Sequence, residues 1–156
     1  MSPDFKELLR LFDDHEVEYL IVGGYAVIRY TQPRYTKDID LWIRPSAENA
    51  GKVAAAFRDF GIPLIEVTEA DLATEGLQYV VGISPNAIDF LTTVKGLDFD
   101  KAWANRQTFE TASGRLFYLS PSDLIASKKA IARHQDLADI EEILRIKPEA
   151  DRSHEI

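Results

Sequence analysis

The sequence predicts an α+β fold, or an α/β fold, in which helices flank a small mixed β-sheet. Several segments repeat apolar residues at helical spacing, and short runs rich in β-branched and aromatic residues lie between them. Two pairs of those runs are separated only by turn residues, as in β-hairpins. Because helical and strand segments are intermixed along the chain, we expect one sheet with helices on its flanks.

Length, charge and composition limit the classes of protein that fit. The 156 residues predict a single domain over 1–146 and a polar tail over 147–156 that frays. The absence of cysteine excludes disulfides and thiolate metal sites and suits a cytoplasmic protein. The polar N-terminus is unlike a signal peptide, and no membrane span is predicted. The net charge of −8 repels nucleic acid, so tight nonspecific DNA binding is not expected.

The first half of the chain begins with a predicted amphipathic helix over 4–14, with Asp4 as its candidate N-cap. A second clear helix follows the candidate cap Ser46 and ends at Gly61. The other elements predicted for this half are a strand over 18–22, a helix over 25–30, a strand over 38–44, and a strand or extended link over 62–67.

The second half contains two predicted hairpins and a pair of C-terminal helices. The hairpin strands are predicted over 79–83 with 87–93, and over 108–111 with 116–119. Short helices are predicted over 69–74 and 99–105, and longer helices over 120–133 and 135–144.

The stretch from Tyr19 to Ile43 carries the main functional signal. An apolar run ends at Gly23-Gly24, where a helix is predicted to begin. Glycine adopts positive φ and lets the backbone approach a ligand closely, and the free N–H groups of a helix start favour phosphate. A simple tight turn is the other interpretation, and it is compatible with the first because the same turn would form the phosphate cradle.

Three aspartates are candidate metal ligands. Asp38 and Asp40 are predicted to share one face of a strand, where two carboxylates repel each other unless a cation holds them. A small set of hard oxygen ligands suits Mg²⁺. Asp89 lies in an otherwise apolar strand, where a lone carboxylate is costly to bury unless it is paired or metal-bound. Solvated or outward-facing carboxylates remain the alternative.

The order of these motifs resembles a known superfamily. Gly23-Gly24, thirteen intervening residues and Asp38-Ile39-Asp40 resemble the signature of the DNA polymerase β-like nucleotidyltransferases. The spacing Arg34-x-Thr36-x-Asp38-x-Asp40 resembles its small bacterial members, the group that includes the abortive-infection, type IV toxin nucleotidyltransferases. The resemblance implies a nucleotidyltransferase-like core with a C-terminal helix pair over most of the chain.

The resemblance also implies roles for individual residues. Asp38, Asp40 and Asp89 would bind one or two Mg²⁺ ions, with Mn²⁺ as an alternative, and Asp89 would help to deprotonate an attacking hydroxyl. Lys128 would be catalytic and would contact the triphosphate, although it could instead extend along apolar surface to solvent. The implied nucleotide-binding residues are Gly23, Gly24, Arg34, Thr36, Lys128, Arg133 and Asp139, with Asp136 as a weaker candidate and Lys37 expected to be solvated.

The implied activity is the Mg²⁺-dependent transfer of a nucleoside monophosphate from a nucleoside triphosphate to a hydroxyl acceptor. The acceptor could be tRNA, a protein or a small molecule, and a toxin-like role would add a cognate antitoxin as partner. A catalytically inactive nucleotide-binding module, regulatory or antitoxin-like, is the main alternative, and a purely structural interaction protein has little support. Phosphatase-like folds with an aspartyl nucleophile also use Asp-x-Asp, but there the pair closes an apolar strand, whereas here it opens one.

Overall fold

The structure, a computed structural model, describes residues 1–31, 38–131 and 134–155, with the backbone alone at 134, 135 and 147–155. Within these residues it contains seven helices and six strands. In chain order they are α1 (Pro3–Asp14), β1 (Tyr19–Val22), α2 (Gly23–Tyr30), β2 (Ile39–Ile43), α3 (Ala47–Phe60), α4 (Glu69–Leu72), β3 (Gln78–Val81), β4 (Ile88–Leu91), α5 (Phe99–Ala104), β5 (Gln107–Thr111), β6 (Gly114–Tyr118), α6 (Pro121–Ile131) and α7 (His134–Glu155). Each helix in this part of the chain is too short or too polar to cross a bilayer.

The six strands form one mixed sheet in the order β3-β4-β2-β1-β6-β5. The pairs β1–β6 and β2–β4 are parallel, and the pairs β1–β2, β3–β4 and β5–β6 are antiparallel. Both predicted hairpins are present, as β3–β4 and β5–β6. The predicted mixed sheet flanked by helices is therefore confirmed.

Helices that carry aromatic residues pack on both faces of the sheet. On one face, Phe12 of α1 packs against Tyr19 and Phe90, with ring centroids 5.4 and 6.2 Å apart. On the other face, the Trp42 ring of β2 packs edge-on against Phe99 of α5, with centroids 5.0 Å apart. Because alternate residues of a strand share a face, Asp40 points to the same side as Trp42 and away from the α1 layer.

Several boundaries differ from the predictions. The N-cap of α1 is Ser2, whose Oγ accepts a hydrogen bond from the Phe5 backbone N–H, so the assignment of Asp4 was wrong. Proline at the next position already lacks an N–H, which leaves Ser2 as the flanking residue. As predicted, Ser46 is the N-cap of α3 and Gly61 is its C-cap, where Gly61 adopts a left-handed conformation with φ of 101°. The segment 62–67 is neither helix nor strand, and α7 continues through 147–155, where a polar tail is predicted.

A buried asparagine joins the start of α3 to β1 and β2. Asn49 is only 3% exposed. Its side-chain oxygen accepts a hydrogen bond from the Glu18 N–H at 2.8 Å, and its Nδ2 donates to the carbonyls of Glu18 and Arg44 at 3.0 Å each. The side chain thus satisfies three backbone groups that lie at the strand ends opposite Gly23.

We expect Asn49→Leu to lower the free energy of unfolding by about 2–4 kcal/mol, because it leaves buried backbone groups without partners. Urea denaturation followed by circular dichroism measures this change. The control is Lys52→Ala, one turn further along α3, which should change stability by less than about 0.5 kcal/mol. Similar losses in both variants would contradict the role assigned to Asn49.

Candidate active site

Gly23 leaves the space that Asp40 occupies. Val22 at the end of β1 pairs with Asp40 of β2, so the following residue lies beside the Asp40 side chain. A Cβ placed on Gly23 would lie 2.1 Å from Asp40 Oδ2, and Gly23 has a positive φ of 65°. Both observations require glycine here. Gly24 follows in the first turn of α2.

Asp40 and Asp89 are direct neighbours across two parallel strands. The register of β2 and β4 pairs Asp40 with Asp89. Neighbouring strands lie about 4.8 Å apart, and paired residues project to the same face. The structure therefore brings together two carboxylates that are far apart in sequence, on the face opposite α1.

Asp38 precedes β2 and is held by the turn between β3 and β4. Its carboxylate accepts hydrogen bonds from Ser84 Oγ at 3.2 and 3.3 Å and from the Ala87 backbone N–H at 3.1 Å. Asp38 lies two residues before Asp40, and its side chain thus links the start of β2 to the start of β4.

The electrostatics of the acidic pair favour a bound cation. Burial, followed by the negative charges of Asp89 and Asp38, raises the pKa of Asp40 to about 7. Burial also raises the pKa of Asp89, although hydrogen bonds with Gln78 and with the neighbouring Asp40 oppose that shift. The Oδ1 atom of Asp89 is buried and has no hydrogen-bond partner within the described residues. A buried acceptor without a partner is costly unless a cation or a proton satisfies it.

The two carboxylates fit the way in which Mg²⁺ is bound in enzymes that use nucleotides. Among the described residues, no group of three or more His, Cys, Asp or Glu side chains is arranged to hold a metal ion. Mg²⁺ is commonly bound by only one or two carboxylates, together with substrate phosphates and water. Asp40 and Asp89 provide two such carboxylates, one of them with a bare buried oxygen.

Lys128 lies between two buried carboxylates of the last helix. Its Nζ is 3.2 Å from Asp136 Oδ1 and 3.0 Å from Asp139 Oδ2, and both aspartates are 1% exposed. The Lys128 side chain is itself 11% exposed and does not extend along the surface to solvent. Asp136 and Asp139 thus hold the same ammonium group.

Gly23, Asp40, Asp89 and Lys128 line one cavity of about 450 Å³ between the sheet and α6. Asp38, Gly24 and Asp139 are not among the residues that line it. Its polar and glycine lining includes Gly23, Asp40, Gln78, Asp89, Lys95 and Lys128. The sequence did not single out Gln78 or Lys95, because each lies in a segment with no motif. Of the other predicted residues, Arg34, Thr36, Lys37 and Arg133 lie outside the described residues.

The mixed sheet with its C-terminal helix pair is that of a nucleotidyltransferase of the DNA polymerase β-like fold, which confirms the resemblance to that superfamily. The closer likeness to its abortive-infection, type IV toxin members stays a prediction. A family model described as "Nucleotidyltransferase of unknown function (DUF6036)" matches residues 4–148, and the chain belongs to this family.

One solved structure with a similar fold is the lincosamide antibiotic adenylyltransferase LnuA in its lincomycin-bound form. The identity is 14%, the match covers 94% of this chain and 98% of that chain, and the TM-score is 0.53. At this identity the likeness establishes the fold. Among curated proteins, none matches this chain.

The raised pKa of Asp40 predicts a pH-dependent stability. The folded state holds the proton of the Asp40 carboxyl group more tightly than the unfolded state does. The stabilisation that this proton gives to the folded state is therefore fully present below about pH 4 and is lost as the pH rises through about 7. In EDTA, the free energy of unfolding of the wild type minus that of Asp40→Asn should fall by up to about 1.4 kcal/mol per pH unit in this range.

Urea denaturation between pH 4.5 and 7.5 measures that difference. The control is Glu48→Gln on α3, whose side chain is 86% exposed, and its difference from the wild type should stay constant with pH. A constant difference for Asp40→Asn would contradict the expected shift.

Removing the charge of Lys128 should destabilise the protein. Lys128→Met takes the cation away from two buried carboxylates, and we expect a loss of about 3 kcal/mol in the free energy of unfolding. The matched control is Lys129→Met, since Lys129 is the exposed neighbour on the same helix and should contribute little. Equal melting temperatures for the two variants would contradict the buried arrangement.

Proposed function

We propose that this nucleotidyltransferase is Mg²⁺-dependent and transfers a nucleoside monophosphate from a nucleoside triphosphate to a hydroxyl acceptor. The observation that carries the proposal is the register of β2 and β4, which places Asp40 beside Asp89 in one cavity with Gly23 and Lys128. The family to which the chain belongs supports nucleotide transfer in general.

In this mechanism the acceptor oxygen attacks the α-phosphorus of the triphosphate. The bond from that phosphorus to the bridging oxygen breaks, pyrophosphate leaves, and Asp89 accepts the hydroxyl proton. One or two Mg²⁺ ions, or Mn²⁺ in their place, held by Asp40 and Asp89, would neutralise phosphate charge. Asp38 is the third proposed ligand on the basis of the sequence resemblance, and its carboxylate would have to turn from Ser84 and the Ala87 N–H to reach the same ion. Positioning and charge stabilisation would thus account for most of the rate.

The remaining residues would bind the triphosphate. The backbone at Gly23 and Gly24 opens α2, and its N–H groups would face the phosphates. Lys128 would offer its ammonium group to the same phosphates while Asp136 and Asp139 hold it in place. Arg34, Thr36 and Arg133 complete the proposed nucleotide-binding set on the basis of the sequence resemblance.

Three classes of acceptor are candidates: small molecules, proteins and tRNA. The net charge of −8 favours a small molecule or a protein over a long nucleic acid, although a tRNA end remains a candidate. The structural neighbour is an adenylyltransferase bound to lincomycin, which makes hydroxyl-bearing small molecules a sensible first panel. A toxin-like role with a cognate antitoxin rests on the sequence resemblance alone.

The test is to incubate the purified protein with Mg²⁺, each of the four ribonucleoside triphosphates, and panels of small molecules, tRNA and protein. We expect pyrophosphate release and a mass gain of one nucleotide on an acceptor. Asp40→Asn and Asp89→Asn should each lower the rate by about 10³-fold or more, as should EDTA. The exposed variant Glu48→Gln should retain wild-type turnover.

Two outcomes would overturn the proposal. Full turnover in both aspartate variants would exclude the mechanism. Calorimetric binding of a triphosphate without pyrophosphate release on any acceptor would identify a nucleotide-binding module in place of an enzyme.

A further inference from the structure

The two oxygens of Asp89 have unequal surroundings. Oδ2 accepts a hydrogen bond from Gln78 Nε2 at 2.9 Å, whereas Oδ1 is buried and has no hydrogen-bond partner within the described residues. Both residues line the cavity. Gln78 therefore holds one oxygen, and the other is a buried acceptor that a cation, or a proton shared with the neighbouring Asp40, can satisfy.

The antiparallel register of β3 and β4 creates this contact. Val80 pairs directly with Asp89, and Gln78 lies two residues earlier on the same face of β3. A long side chain at this diagonal position can reach across to the neighbouring strand. Because the amide carries no charge and does not titrate near neutral pH, it orients the carboxylate without competing for a cation.

We propose that Gln78 is a positioning residue that fixes the Asp89 carboxylate so that Oδ1 is presented to the acceptor hydroxyl and the metal ion. That Oδ1 meets a hydroxyl and a metal ion rests on the proposed function. That Gln78 orients the carboxylate rests on the hydrogen bond alone. The torsion that turns a carboxylate has a broad energy profile, so a single donor on one oxygen can select its orientation.

A purely structural role for this hydrogen bond is poorly supported by its surroundings. Gln78 is exposed on the edge strand β3, and the backbone ladder already joins β3 to β4. A solvent-exposed side-chain hydrogen bond adds little to folding. Its loss should therefore appear in turnover and metal binding rather than in stability.

The first test is a kinetic double-mutant cycle with Gln78→Met and Asp89→Asn. Methionine keeps the length of the side chain and removes the donor. We expect Gln78→Met to lower kcat by about 10-fold or more with little change in KM for the triphosphate, and to have no further effect in the Asp89→Asn background. The control is Val80→Met, on the same strand face directly opposite Asp89, and it should retain wild-type kcat.

The second test uses Mn²⁺ binding measured by electron paramagnetic resonance, without nucleotide or acceptor. Gln78→Met should weaken Mn²⁺ binding by about 10-fold in the wild-type background and leave it unchanged when Asp89 is asparagine. Equal effects of Gln78→Met in both backgrounds, in either test, would overturn the positioning role, as would an equal loss in Val80→Met.

The two tests separate this inference from the proposed function. Wild-type protein that binds Mn²⁺ but releases no pyrophosphate would overturn the proposed function, and the Mn²⁺ cycle would then decide the role of Gln78. Wild-type protein that neither binds Mn²⁺ nor releases pyrophosphate would overturn both.

Discussion

The pairing of β2 with β1 and β4 is the constraint on which the site depends. It places Asp40 between the end of β1 and Asp89 of β4. Because Asp40 Oδ2 occupies the volume where a Cβ of residue 23 would lie, the position after β1 has to be glycine. The same glycine begins α2, so one close backbone approach positions both the Asp40 carboxylate and the N-terminus of α2, the end of a helix that favours anions.

The buried acids lie on the face of the sheet opposite the layer formed by α1 and α3. Aromatic packing of α1 and α3 against β1 and β4 provides a dry core on one face, where Phe57 and Phe90 lie 4.8 Å apart. The opposite face holds the desolvated acids, whose charged forms burial disfavours. Alternate residues of β2 therefore point to the two sides of the sheet: Leu41 lies on the α1 side, and Asp40 lies on the cavity side. Trp42 also packs on the cavity side, against Phe99, so both faces contribute to the core.

The sequence predicted those features that depend on local pattern. Alternation in β2 and the glycines after β1 were enough to single out Asp40 and the turn, and the isolated charge in β4 was enough to single out Asp89. The pairing of Asp40 with Asp89 was not predicted, because it depends on the register of two strands that are far apart in sequence. The contact of Lys128 with Asp136 required the angle between α6 and α7, which no local spacing encodes. Gln78 could not be found in this way, because its contact with Asp89 depends on the register of an edge hairpin.

The side chains of the proposed site differ in how firmly the protein holds each of them. Asp38 is anchored by the β3–β4 turn, and Lys128 by two buried aspartates, so neither can move freely toward a ligand. Asp89 is anchored through one oxygen and bare at the other. Since phosphoryl transfer depends mainly on positioning and on charge stabilisation, a site whose charged groups are fixed before substrate arrives is suited to that chemistry. The Asp89 oxygen that has no hydrogen-bond partner within the described residues is then the acceptor that remains for a cation or a proton.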